Sequence, residues 1–218
     1  MSRIIAIANQ KGGVGKTTTS VNVATSLAIG EQSVLLVDLD PQSNATSGLG
    51  LDPRSLPHTI YDCMTRGASV SSVITSTAVQ KLAIAPANAD LVGAEVELVN
   101  VEGRDVILKN ALAEVANHYD FIILDCPPAL GILTINALVA ASSVLVPVQC
   151  EYYAMEGLGR LMANVKRVQD SLNPGLELEG IVLTMYDSRN SLARQVVEEI
   201  RSHFNEKVYK TMIPRNVT

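Results

Sequence analysis

The densest chemistry in this chain is one short stretch, Asn9-Gln10-Lys11-Gly12-Gly13-Val14-Gly15-Lys16-Thr17-Thr18. Glycines let backbone N–H groups turn toward a phosphate, and a helix starting there adds its positive end. A lysine at the helix start would reach the outer phosphates, and a hydroxyl directly after it would ligate Mg2+. Gly12, Gly13, Val14, Gly15, Lys16, Thr17 and Thr18 are therefore expected to cradle a nucleotide, with Lys16 on the β- and γ-phosphates and Thr17 on the metal.

Two carboxylates complete the pattern. Val34-Leu35-Leu36-Val37-Asp38-Leu39-Asp40-Pro41 and Phe121-Ile122-Ile123-Leu124-Asp125-Cys126-Pro127-Pro128 both run from apolar residues into aspartate and are stopped by proline. A carboxylate after a buried strand lies at the sheet's carboxyl edge, where open α/β sheets bind ligands. Asp125 suits a ligand to Mg2+ or to its bound water. Asp38 alternates to the other side of its strand from the residues beside it and reads as structural. Phosphoryl transfer depends on positioning and charge neutralisation, so neither loop needs a strong general base.

These groups need a sheet to hold them. Seven apolar runs read as buried strands: Ile4–Ala8, Val34–Val37, Leu82–Ala85, Phe121–Leu124, Val144–Val148, Gly180–Thr184 and Lys207–Ile213. Helical periodicity lies between most of them, over Thr17–Ile29, Arg104–His118, Thr134–Ala141, Gly157–Ser171 and Leu192–Phe204. Continuous apolar strands alternating with helices predict an α/β fold, a mostly parallel twisted sheet with helices on both faces. Gln42–Thr77, rich in Ser, Gly and Pro, is the least regular part.

Composition bounds the rest. At 218 residues and 47% apolar, the chain suits one large domain with a substantial core. No apolar run is long enough to span a bilayer, and the N-terminus lacks a signal-peptide pattern, so a cytoplasmic protein is expected. Cys63, Cys126 and Cys150 lack metal-ligand spacing and read as buried thiols. Residues 1–159 hold 8 Lys/Arg against 15 Asp/Glu, whereas 160–218 hold 9 against 7, so positive charge leans toward the C-terminal third.

One detail of the phosphate loop is unusual: Gln10 stands where the general pattern has glycine, and Lys11 adds a second cation. The stretch resembles the deviant Walker A motif, KGGVGKT, of the ParA/MinD family of P-loop ATPases. The resemblance extends over essentially the whole chain, and it narrows to the ParA/Soj partition ATPases at Asp40-Pro41-Gln42-Ser43-Asn44-Ala45-Thr46 and Asp125-Cys126-Pro127-Pro128-Ala129-Leu130-Gly131. Pro147–Ala154 and Ile213–Val217 also look characteristic.

The resemblance implies an ATPase using ATP and Mg2+, with Lys11, Lys16 and Asp40 in the catalytic set and Thr17, Asp40 and Asp125 around the metal. Lys11 would reach the phosphates of a partner in a nucleotide-sandwich homodimer. Two such lysines, at roughly 1.5–3 kcal/mol each, could supply much of a monomer–dimer switch. Met185, Pro214, Arg215, Asn216 and Val217 would lie near the adenine. The ATP-bound dimer would bind double-stranded DNA nonspecifically, hydrolyse slowly until a ParB-type partner stimulates it, and be nucleoid-associated in the cytoplasm. Arg189 is the first candidate for DNA contact, followed by Arg194 and Arg201, with Lys207 and Lys210 nearby.

Relatives of this type usually continue past a sequence like Ile213–Val217, so residues 1–218 are expected to form a single P-loop domain lacking the family's last elements. A MinD-like ATPase positioning a membrane-associated or protein cargo is the alternative reading. It calls for a basic amphipathic C-terminal helix, which the sequence does not contain, so no membrane partner is expected.

Overall fold

The computed structural model describes residues 2–215. Strands β1 (Arg3–Ile7), β2 (Val34–Asp38), β3 (Thr75–Ser76), β4 (Leu82–Ala85), β5 (Phe121–Asp125), β6 (Ser143–Gln149), β7 (Glu177–Tyr186) and β8 (Val208–Pro214) form one sheet in the order β3-β4-β2-β5-β1-β6-β7-β8. All pairings are parallel except β3 with β4. The predicted parallel sheet is present, and each of the seven predicted strands is there, with ends moved by a few residues.

Successive strand residues point to opposite faces, so a sheet covered on both faces needs apolar side chains at every position. Leu35, Val37, Ile122 and Leu124 pack into the larger core, while Val34, Leu36 and Ile123 pack into the smaller one. Helix α1 (Lys16–Ile29) covers the smaller core through Ala24 and Ala28, beside the short α2 (Asn44–Gly48). The opposite face carries α3 (Ile60–Arg66), α4 (Val70–Val73), α5 (Leu91–Glu97), α6 (Ile107–Ala113), α7 (Ile132–Ala140), α8 (Ala154–Ser171) and α9 (Ser191–Phe204).

The span Gln42–Thr77 carries only short elements, α2, α3, α4 and β3. One expectation needs correction. Arg104–His118 is not one helix: 3-10 turns at Arg104–Val106 and Ala116–His118 flank α6. The cause of the first break is Asn136 on α7. Its amide accepts from Leu108 N at 3.0 Å and donates to Arg104 O at 2.8 Å, replacing the bond those two groups would make in a continuous α-helix.

The topology delivers the predicted chemistry to one edge. In register, Ile7 at the end of β1 lies beside Asp125, and Asp125 lies beside Asp38. The glycine-rich loop leaving β1 therefore emerges next to both acidic strand ends.

Candidate nucleotide and metal site

The phosphate loop is fixed at both ends by side chains. Asn9, buried, donates from Nδ2 to Pro147 O on β6 at 2.7 Å, and its Oδ1 accepts Lys11 N at 3.0 Å. Thr184 on β7 donates to Val14 O at 2.8 Å. Gly13 and Gly15 adopt φ of +73° and +88°, the left-handed region where a side chain is strained. Gly15 offers no side-chain cap to α1, so the first amides of that helix are open to an anion.

Lys16 is only 7% exposed. Its ammonium donates to Lys11 O at 3.1 Å, within the loop it would serve. Burial lowers its pKa, and the Asp125 and Asp40 carboxylates oppose that shift. Such a buried cation is stabilised by an anionic ligand more than an exposed lysine would be.

Asp125 is fully buried. Its Oδ1 accepts from Ser20 Oγ at 2.7 Å, while Oδ2 has no hydrogen-bond partner. Burial pushes its carboxyl up to about 7, against the pull of the Ser20 and Thr17 hydroxyls. A buried carboxylate oxygen left unpartnered is costly, and a cation beside it removes the cost. The donor set therefore fits a hard divalent ion held by oxygen. Among the described residues no group of three or more His, Cys, Asp or Glu could hold a metal alone. The fit is to an ion that shares its ligands with phosphate, as Mg2+ commonly does.

The loop after β2 is ordered from within. Asp38 Oδ2 accepts from Thr46 N at 2.9 Å and Thr46 Oγ1 at 2.7 Å, and its Oδ1 accepts from Asp40 N at 3.1 Å. Burial raises its pKa to about 6 despite these bonds. Asp38 thus holds the backbone on which Asp40 sits. Asp40, 7% exposed, accepts from Gln42 N at 2.9 Å and faces the cleft.

A cleft of about 290 Å3 brings these parts together. Gly12, Gly13, Gly15, Lys16, Thr17, Thr18, Asp40 and Met185, all singled out in the sequence, line it. Gln42, Asn44 and Pro128 also line it, and the sequence offered no mechanism for these three. Val14 and Asp125 are buried and are not among the residues that line it. Lys11 points elsewhere: its half-exposed ammonium pairs with Glu151, which also accepts from Gln149. Ser20 was detectable in principle, because it follows Lys16 by one helical turn; Glu151 falls in the stretch Pro147–Ala154 that the resemblance picks out, and Thr184 carries no local signal.

Met185 has φ of +51° and stands at the end of β7, where Arg215 N donates to Tyr186 O at 3.0 Å and Pro214 pairs with Tyr186. Asn216 and Val217 lie outside the described residues. The three candidate DNA-contacting arginines are exposed on or beside α9. Arg189 pairs with Asp187, Nε to Oδ1 at 3.0 Å and Nη2 to Oδ2 at 2.8 Å. Arg194 donates to Ser188 O at 2.5 Å, and Arg201 to Lys210 O at 3.4 Å. The three cysteines are buried and free, and among the described residues no helix is long and apolar enough to cross a membrane.

Residues 2–178 match the AAA domain family AAA_31. The chain is 55% identical over 217 residues to the sporulation initiation inhibitor protein Soj of Bacillus subtilis, covering 100% of this chain and 86% of that one. It is 52% identical over 217 residues to the chromosome partitioning protein ParA of Myxococcus xanthus, covering 100% and 77%. Among solved structures, cobyrinic acid a,c-diamide synthase of Mycobacterium smegmatis with bound ATP analog and magnesium superposes with a TM-score of 0.94 at 41% identity, covering 100% and 89%. A plasmid partition protein of Borrelia burgdorferi superposes at 0.86 with 26% identity, covering 99% and 90%.

Proposed function

Because this chain belongs to the AAA_31 family and, within it, to the Soj/ParA-type chromosome-partitioning ATPases, we propose that it is a Mg2+-dependent ATPase whose ATP-bound dimer binds DNA without sequence preference. A ParB-type partner would stimulate its hydrolysis, and the protein would work on the nucleoid in the cytoplasm. The observation that carries the catalytic part is the buried Lys16 in a cleft lined by the glycine-rich loop, within the electrostatic reach of the buried Asp125, one of whose oxygens has no hydrogen-bond partner.

In this reading the N–H groups of Gly12–Thr18 hold the phosphates, and Lys16 places its charge on them. Thr17, Asp40 and Asp125 would hold Mg2+, directly or through its water. MgATP, when bound, supplies the transferable phosphoryl group and neutralises its charge. The chain contributes a buried cation and a loop whose path Asn9 and Thr184 fix, so little reorganisation is needed on binding. Met185, Pro214 and Arg215, with Asn216 and Val217, would flank the base. Lys11 would exchange Glu151 for a partner's phosphate on dimerisation. Arg189, Arg194 and Arg201 would contact DNA phosphates, which gives binding that weakens steeply with salt.

The likeness to a named diamide synthase raises a ligase reading. The higher identity to chromosome-partitioning proteins favours partition. The test is binding to random-sequence duplex DNA with ATP, ADP or no nucleotide across a salt series, with sedimentation of the same samples. ATP alone should drive both dimerisation and salt-sensitive DNA binding, and Lys11→Ala should lose both. Dimerisation without DNA binding would remove the DNA half of the proposal.

A further inference from the structure

Helix α7, which follows Asp125 and the two prolines, begins without a cap of its own. Its N-cap residue, Gly131, has φ −95° and ψ −168°, extended backbone open to any residue, and no side chain to accept the first amides. Those amides have no partner inside a helix, and a carboxylate placed there also gains from the helix dipole. Glu95 supplies it from α5, a separate element. Its Oε2 accepts Ile132 N at 2.9 Å and its Oε1 accepts Leu133 N at 3.4 Å.

Glycine at position 131 leaves room for the Glu95 carboxylate, and any side chain there would push that flexible group aside. A Cβ there would overlap both Glu95 carboxylate oxygens and lie 2.6 Å from Cδ. Glycine at the N-cap therefore admits a remote carboxylate where Ser, Thr or Asp would ordinarily cap from within.

Both acidic loops connect to this contact. On one side, Cys126 N donates to Ile7 O at 3.2 Å, and Thr134 Oγ1 donates to Ala129 O at 2.6 Å. The intervening Pro127 and Pro128 have fixed φ, so the start of α7 sets where Pro128 meets the phosphate cleft. On the other side, Ala87 N, just ahead of α5, donates to Thr46 Oγ1 at 3.0 Å, and Thr46 in turn holds Asp38. Residues 87–95 thus link Thr46 in α2 to the start of α7.

We propose that Glu95 and Gly131 form a positioning pair, in which the Glu95 carboxylate fixes the Asp125–Gly131 loop against the nucleotide's phosphates. Glu95 touches neither nucleotide nor metal; it acts through the amides of Ile132 and Leu133. The inference rests on the ATPase reading above.

The experiment measures MgATP turnover, MgADP affinity and amide exchange at Ile132 and Leu133, well below the unfolding midpoint of each variant. Glu95→Ala should lower kcat roughly five- to tenfold, the scale of one lost helix cap, with MgADP affinity held within about twofold. Gly131→Ala, which evicts the carboxylate, should match it, and the double variant should lose no more than either single one. Glu95→Gln keeps one carbonyl acceptor and should recover part of the rate. Faster exchange at Ile132 and Leu133 with unchanged kcat would reduce the contact to a stabilising cap and overturn the proposal, as would additive losses in the double variant. Wild-type turnover alongside unaffected variants removes the positioning pair alone. A wild type that binds MgATP without turning it over removes the ATPase reading and the pair together.

Discussion

The carboxyl edge around β1 and β5 and the arginine-bearing edge around α9 are built on opposite principles. At the first, Lys16, Asp38 and Asp125 are buried, and most of their polar atoms are held by named partners. At the second, Arg189, Arg194 and Arg201 are exposed and hold only neighbours on or near their own helix. A buried charge is tolerated only where something specific neutralises it, so its surroundings describe its ligand. An exposed cation is stable in water and says little about what it meets. Burial and pairing thus support the proposed roles of Lys16 and Asp125, whereas the proposed DNA contacts rest on likeness to relatives.

That contrast can be broken most forcefully at Lys16. Lys16→Ala should cut MgATP turnover roughly 100- to 1000-fold, the range seen when a preorganised charge-stabilising donor is removed. Phosphate release under single-turnover conditions measures it. A loss below tenfold would mean that the buried lysine is structural.

The next effect is smaller and concerns stability. Asp38→Ala leaves Thr46 N, Thr46 Oγ1 and Asp40 N without their acceptor. An orphaned buried donor costs about 1–3 kcal/mol, so chemical denaturation should show a loss in at least that range. It should also reduce turnover, because Asp40 is carried on the same backbone. Unchanged stability would show that this loop is held by other contacts.

Arg189→Ala should have the smallest effect and sharpen the comparison from the exposed side. It should weaken DNA binding several-fold and reduce the salt slope by about one unit, with ATP binding and stability unchanged. An unchanged salt slope removes Arg189 from the DNA surface.

The same contrast explains what could be read from sequence. The centres of strands β1, β2, β5 and β6 are apolar runs because both of their faces are buried, and the loop Asn9–Thr18 declares its chemistry by composition. Helices α2 and α5 were not visible. Asn44-Ala45-Thr46-Ser47-Gly48 has weak helix formers and is ordered by Asp38, and Leu91–Glu97 contains Gly93 and two valines. The break ahead of α6 depends on Asn136, which lies 28 residues from Leu108. Glu95 lies 37 residues from the amide it caps, and only the lone glycine ahead of α7 hints at it. Local patterns reveal local chemistry, whereas these positions are set by tertiary contacts.

We propose that Asp125 would hold a divalent ion shared with nucleotide phosphates. With its carboxyl held up to about 7 by burial, the metal-free protein keeps Asp125 largely protonated below that pH. Stability contributed by the neutral form is lost as pH rises through that value, and an ion can then replace the proton. The direct measurement is calorimetric ATP binding with and without Mg2+, in wild type and Asp125→Asn, on either side of pH 7. The account predicts that Mg2+ tightens ATP binding in the wild type, more strongly above pH 7, and that Asp125→Asn loses most of this gain and its pH dependence. An equal Mg2+ effect in both proteins would contradict it.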